Sequence, residues 1–507
     1  MSVGLALGDF CGVVAVAREE GAEEVVANAD GVRYTHSYVG FGDEGAVSIG
    51  LAAVHESIKN AKGTVRRFVS LLSSKYDDEA VQASIAGQTC KTVNADGMVA
   101  FEVQNHDGAV SPSELCTMLL QRLWQTALTA SPDATDAVLA VPIGCSAEHT
   151  AALVDCAKHA GFAVKQCIPE PVAAALGLGI GQGPAKDETV LVFDMGASRT
   201  TVTVVQSRGG ALAVVGSASD SNVGGAACDA ALMKLFIKEF KKAHKMDISD
   251  QPKAIAKLAA AAADAKHTLS TASTATLFVE SLFEGVDFSL KLTRSKVEST
   301  VSSVYRKCGG LIMSVLESCG LGTDDITQVI LAGGASIPPK VGKVVSMMFD
   351  GRDVVNATVA GNEVFALGAA HQAALLRDVA SLDDAPETAR QCAAADICLK
   401  DAAGGMAVLV SAGTPLPASR SARLRTSEEN QASIAVELFQ VGEAAAGGDA
   451  PAPAALATAA LKELPAGPAG SVAVTLTVTV AVDGTTEVEL AEAKSGTSVK
   501  GTIPSKA

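Results

Sequence analysis

The sequence predicts an α/β protein of two lobes followed by an all-β domain. Three observations carry this expectation. Strand-like and helix-like stretches alternate through the first part of the chain, as they do where sheets are covered by helices. A strand–turn–strand pattern, "VGLALGDFCGVVAV" (3–16), returns as "TVLVFDMGASRTTVTVV" (189–205), which suggests an internal duplication with a ligand cleft between the copies. From about Val379 the texture changes, and apolar residues then alternate with polar ones at period two.

Taken in order, the first hairpin turns at Gly8 and leads into a polar loop. "RRFVSLLSSKYDD" (66–78) reads as helical. In "SELCTMLLQRLWQTALT" (113–129) the apolar residues fall at helical spacing, with Ser113 as the N-cap candidate and Glu114 beside it. "DAVLAVP" is a buried strand, and "SAEHTAALVDCAKHAGF" is a capped helix that stops at Gly161. After the second hairpin an alanine-rich helix begins near Gln251 and ends with "DAKHTLS" (264–270). "VILAGGASIPP" (329–339) is a strand closed by a Gly-Gly turn, and "EVFALGAAHQAALL" (363–376) is a helix suited to the cleft floor. "SLDDAPETARQCAAAD" is acidic and small-residued, a linker composition. "MAVLVSAGTPLPAS", "ASIAVELFQV" and "SVAVTLTVTVAVDGTTEVELA" are strands, the last folded at Gly484. "EAAAGGDAPAPAALATAALKELPAGPAG" reads mostly as a flexible loop, and the chain ends soon after the last strand.

Composition narrows the functions. Of 507 residues, 48% are hydrophobic and 19% charged, enough for a sizeable core. A net charge of −16 argues against nucleic-acid binding driven by bulk charge and suits basic partners. Eleven cysteines without a C-x-x-C pair read as reduced, buried thiols of a cytoplasmic protein. The start "MSVGLALGDF" lacks a basic region and a cleavage pattern, and no apolar run reaches about 18 residues, so neither a signal peptide nor a membrane span is expected.

Several stretches, taken in order, carry a family resemblance: "ANADGVRYTHSYVGF" (27–41), "PEPVAAALGLG" (169–179), "FDMG" (193–196), "AKHTLS" with "ESLFEGVDF" (280–288), "LAGGASIPPK" (331–340) and "LGAAHQAALL". The chain resembles the heat-shock protein 70 family. The resemblance implies an α/β actin-like two-lobed nucleotide-binding domain (1–378), a linker (379–398) and an all-β sandwich domain for substrate (399–507) without a helical lid. With "GTPLPASR" (413–420), it looks like the lidless cytosolic subclass, whose members pair with a zuotin-like J-domain protein in the ribosome-associated complex.

What the resemblance implies for the site is a degraded ATPase. The family's metal-side aspartate falls on Ala6, its phosphate-contacting threonine pair on Asp9 and Phe10, and its catalytic lysine on Val69; Gly8 and Glu170 are kept. In the second hairpin Asp194 and Gly196 are kept, while Ala197, Ser198, Arg199 and Thr201 replace two glycines, a threonine and an aspartate. On the adenosine side Lys266 and Ser270 are kept, Ala263 replaces a glutamate, and His267 replaces a base-stacking arginine. Gly333 and Gly334 survive with Ala335 and Ser336, Ile337 stands where a second base-sandwiching arginine would be, and Asn362 replaces an aspartate. An Asp9 carboxylate about 4 Å from a phosphate would cost roughly 4 kcal/mol at an effective dielectric near 20, more than one charge-assisted hydrogen bond of about 1.5–3 kcal/mol returns. The expectation is therefore ATP bound weakly or without hydrolysis, no catalytic residues, no metal ligands and doubtful magnesium. Two readings of Arg199 stay open: a salt bridge to Asp9, or a contact to a bound phosphate. Glu170 also reads as a brace of the lobe junction, Lys266 as the polar face of its helix, and His267 as a surface histidine.

In the all-β domain, Met406 and Val408 of "GGMAVLV" (404–410) and Ile434 of "QASIAVEL" (431–438) match the family's peptide groove; they also read as plain strand residues. The linker offers no apolar run comparable to the family's leucine-rich one, so nucleotide-gated coupling is not expected. The partners implied are the J-domain protein, an active sister chaperone, and indirectly the ribosome and nascent chains. An autonomous ATP-driven chaperone is the alternative; a small-molecule kinase on the same fold is disfavoured by the C-terminal domain.

Overall fold

The computed structural model describes residues 2–18, 23–85, 87–132, 136–181, 187–208, 211–376, 396–400, 405–410, 414, 416, 418–441, 454–481, 485–492 and 494–503. Two sheets organise the first domain. One runs Ala163–Pro169, Asp136–Val141, Ser2–Leu7, Cys11–Ala17, Glu23–Val25; the other runs Val355–Asn356, Gln328–Ala332, Glu188–Met195, Thr200–Arg208, Ala211–Asp220. Each is built from an antiparallel hairpin whose first strand takes a parallel neighbour on its other side. The two turns match as well. Gly8 N donates to Cys11 O at 3.0 Å, and Gly196 N to Arg199 O at 2.9 Å. The repeated hairpin is thus a repeated lobe.

Helices Glu170–Gly177 and Val364–Leu375 meet where the lobes join. They approach through glycine: a β-carbon on Gly177 would stand 2.6 Å from the Val364 carbonyl oxygen, and one on Gly368 would overlap the Ala173 carbonyl. Backbone contact this close tolerates no side chain. The second helix also lies on the first hairpin, where a β-carbon on Gly4 would collide with the backbone of Ala366 and Ala370. It therefore does pack across the cleft floor.

Helix boundaries follow their capping chemistry. Ser146 and Gly161 bound the helix Ala147–Ala160 as expected, Gly161 at φ +114°. The preceding helix is Pro112–Ala130, and its cap is Ser111 rather than Ser113. Ser111 Oγ accepts from Glu114 N at 3.2 Å while the Glu114 carboxylate accepts from Ser111 N at 2.7 Å, a closed capping box. Replacing Ser111 with alanine is expected to lower stability by about 1 kcal/mol in a urea titration, with the slope unchanged.

Three expectations fail. In residues 66–78 the only helical stretch is a 3₁₀ turn at Val69–Leu71: Arg66 ends the strand Thr64–Arg66, and Phe68, Val69, Leu71 and Leu72 are all buried in the core of the first lobe. Within the stretch read as a loop, Ala454–Lys462 is a strand paired antiparallel with Ser433–Val441; residues 442–453 lie outside the described ones. A further strand, Ser498–Ile503, follows Thr486–Glu492. The linker at 379–398 falls mostly outside the described residues, as does the turn at Gly484.

The described residues from 396 onward form two four-stranded antiparallel sheets. They run Met406–Val410, Asp396–Lys400, Ser433–Val441, Ala454–Lys462, and Ala418–Arg425, Ala473–Val480, Thr486–Glu492, Ser498–Ile503. One apolar core joins them, from Ile397 and Leu438 on one side to Leu476 and Leu490 on the other. This unit is docked on the first domain. Gln166 Nε2 and Gln372 Nε2 both donate to Leu416 O, at 3.2 and 3.4 Å, and Thr414 Oγ1 donates to Leu212 O at 3.3 Å. No helix among the described residues is long and apolar enough to cross a membrane.

Candidate nucleotide cleft

The two glycine turns face one another across the cleft, and each is braced from behind. Ser37 N donates to Phe10 O at 2.8 Å, and Ser37 Oγ to Gly8 O at 2.6 Å. Behind the second turn, the first amides of the helix Gly225–His244 donate to Gly196 O and Ala197 O at 3.0 and 2.8 Å. These amides are spent on the turn itself.

Asp9 sits between the turns, 9% exposed. Its Oδ1 accepts from Ser70 N at 2.9 Å, and its Oδ2 accepts from Ser198 Oγ at 2.9 Å. The carboxylate thus binds the amide beside Val69 in the first lobe and a hydroxyl of the second lobe. The salt bridge considered between Arg199 and Asp9 is not formed: among the described residues Arg199 has no ion pair within 4 Å. Each carboxylate oxygen of Asp9 instead accepts from an uncharged donor.

Arg199 acts instead on the acids below. Glu170 is pushed up to about 8, chiefly because protein surrounds its carboxyl and then because Asp194 is close; Arg199 pulls it back in part. Desolvation likewise pushes Asp194 up to about 6 against Arg199. Both residues keep some exposed surface, but the carboxyl groups themselves lie deep. They line a cavity of about 10 Å³ with Thr201 and Thr203, room for a single water. The Thr201 hydroxyl there is buried without a partner. Both shifts favour the protonated, uncharged acids on this floor.

The residues that the resemblance assigns to the adenosine side are otherwise engaged. Lys266 is ion-paired with Asp229, Ser270 Oγ donates to Lys266 O at 3.2 Å, and His267 is exposed. Gly333, at φ +78°, donates to Gly361 O at 2.8 Å and backs onto Asp194 and Met195. Gly334–Ser336 is one 3₁₀ turn through Ala335; Ser336 is buried and donates to Gly333 O at 2.8 Å, while Ile337 is 45% exposed. Phe10, 40% exposed, packs edge-on to His36 at 5.0 Å. Burial, then the charges of His267 and His55, push His36 down to about 4, so it stays neutral.

Sequence reasoning missed Ser70 and His36. Ser70 contributes only its amide, which carries no sequence signal. His36 stands in the quoted stretch "YTHSY" beside Tyr34, and the density of aromatics there is the only hint. In the second domain Met406 is 38% exposed, Val408 is half-buried and Ile434 is turned into the core.

The first domain is thus a duplicated two-lobed unit with facing glycine turns, and it carries a docked all-β unit. The family model described as "Hsp70 protein" matches residues 2–507, and the chain belongs to the Hsp70 family. Similar curated proteins include "Heat shock 70 kDa protein 14" of Danio rerio, 34% identical over 87% of this chain and 88% of that one. The protein of the same name from Xenopus tropicalis is 31% identical over 99% of both chains, and that from Homo sapiens 32% over 87% of both.

ATP and magnesium are the family's usual cofactors, and the residues of this cleft do not fit magnesium triphosphate. The anion Asp9 occupies the turn, Val69 is buried where the resemblance would put the lysine, Ala6 offers no side-chain oxygen, and Lys266 is paired with Asp229. Among the described residues no group of three or more His, Cys, Asp or Glu is placed to hold a metal ion.

Proposed function

We propose that this chain is an atypical cytoplasmic cochaperone that binds ATP weakly or without hydrolysis and serves as a scaffold. It would hold the N-terminal region of a zuotin-like J-domain protein and help it act with an active sister chaperone on nascent chains at the ribosome. The supporting observation is Asp9, whose Oδ2 reaches from the first turn to Ser198 of the second while its Oδ1 is held by the Ser70 amide of its own lobe, where the family's enzymes bind phosphate. Phosphoryl transfer depends on positioned positive charge at that place; a carboxylate there opposes it. The all-β domain, read as a peptide-accepting sandwich, offers Met406 at its edge for an extended apolar segment and supplies the scaffold's second surface. The docking of Leu416 on Gln166 and Gln372 fits a unit that keeps one arrangement.

A mild-salt pull-down from cytosol, with mass spectrometry of bound proteins and nucleotide, tests this reading. The expected result is a stoichiometric J-domain protein. Recovery of a broad set of unfolded clients that ATP releases would favour an autonomous chaperone instead. Calorimetry then compares ATP binding by the wild type and Arg199→Ala. With no phosphate contact by Arg199, the two isotherms should be equally weak.

A further inference from the structure

We propose that Asp9 is a built-in anion that holds the lobes closed in place of a nucleotide phosphate. The inference rests on the reading of the cleft as catalytically spent, and concerns what closes it. Two turns from different lobes are joined here by one side chain, through the Asp9–Ser198 bond across 189 residues of sequence, and the Asp9–Ser70 bond, across 61, anchors the same carboxylate within the first lobe. Each donor is one that a phosphate oxygen would accept from: a backbone amide and a hydroxyl. Asp9 supplies an oxyanion to both from within the chain, so the closed state needs no ligand.

The bracing of both turns makes the link effective. Ser37 fixes the first turn from behind and the helix starting at Gly225 fixes the second. The strut is therefore short and stiff, and little side-chain entropy is lost in making it. A hydrogen bond to a charged group is worth enough to bias an open–closed equilibrium about ten- to a hundred-fold. A bound triphosphate must first displace this internal anion, which makes Asp9 a specificity-determining residue against phosphates as well as a latch.

Hydrogen exchange and small-angle scattering on the nucleotide-free full chain test the latch without reference to turnover. Ser70 N–H, whose acceptor is Asp9, should exchange slowly in the wild type, and adding ATP should change neither its exchange nor the scattering radius. Ser198→Ala should raise exchange in the segments lining the cleft about ten- to a hundred-fold and enlarge the radius, while Ser198→Thr, which keeps the hydroxyl, should behave as wild type. Asp9→Ala should release the Ser70 amide and tighten ATP binding. A wild type that is open and closes only with ATP, or a Ser198→Ala variant whose exchange and radius match wild type, would overturn the latch. Either result would leave the absence of hydrolysis standing, so the two readings fail separately.

Discussion

Gly368→Ala should yield no soluble folded protein, or one destabilised by about 4 kcal/mol or more. The β-carbon would fall inside the carbonyl of Ala173, and the helices Glu170–Gly177 and Val364–Leu375 would have to separate. Neither can move alone. The second also lies on Gly4 of the first hairpin, and it carries Gln372, which bonds to Leu416 of the second domain. Overpacking at a flexible side chain costs about 1–3 kcal/mol; here the obstacle is backbone on both sides, so the upper range applies. Expression level, circular dichroism and a denaturant titration measure it. Gly310→Ala is the control: it is helical as well, but a β-carbon there meets nothing within 4 Å. A Gly368→Ala protein with wild-type stability would show that the helices do not meet as described.

Glu170→Gln should stabilise the protein at pH 8 and have little effect at pH 4. The folded state raises the Glu170 carboxyl from 4.5 to about 8 and that of Asp194 from 3.8 to about 6. The folded chain therefore binds more protons than the unfolded one between these limits. Stability from this floor is complete below pH 4 and is lost as the pH rises toward 8. At about 1.36 kcal/mol per unit the Glu170 shift alone bounds the loss near 5 kcal/mol; partial exposure and coupling to Asp194 bring the expected figure to about 2–3 kcal/mol. Glutamine keeps the shape of the protonated acid and cannot ionise, so between about pH 6 and 8, above the range of Asp194, the variant's melting temperature should be nearly flat where the wild type's still falls. Parallel slopes for the two proteins between pH 6 and 8 would place the charge elsewhere.

Much of the architecture was legible because its signals are local. A glycine between apolar runs marks each hairpin turn, and Ser146 with Gly161 marks a helix at both ends. The segment around Val69 misled because four buried apolar residues at near-helical spacing fill the core from a turn. Ala454–Lys462 was hidden by composition. Alanine-rich sequence has little strand preference, and its pairing with Ser433–Val441 decides the outcome. The Ser111 cap was passed over because Pro112, a good first helical residue, stands between it and the periodic run. In the cleft, the identities of Ala6, Asp9 and Val69 could be read from the sequence, but the partners of Asp9 could not. A carboxylate's choice among a distant amide, a distant hydroxyl and a neighbouring arginine is fixed only once the lobes are assembled.

Phosphate release from ATP under single-turnover conditions, with magnesium and a J-domain protein present, tests most directly whether this cleft has given up phosphoryl transfer. With Asp9 bridging the turns and no lysine at Val69, release should not exceed that of buffer. Brisk release that Asp9→Ala or Arg199→Ala abolishes would mean that the cleft opens, accepts magnesium triphosphate and works as an ATPase.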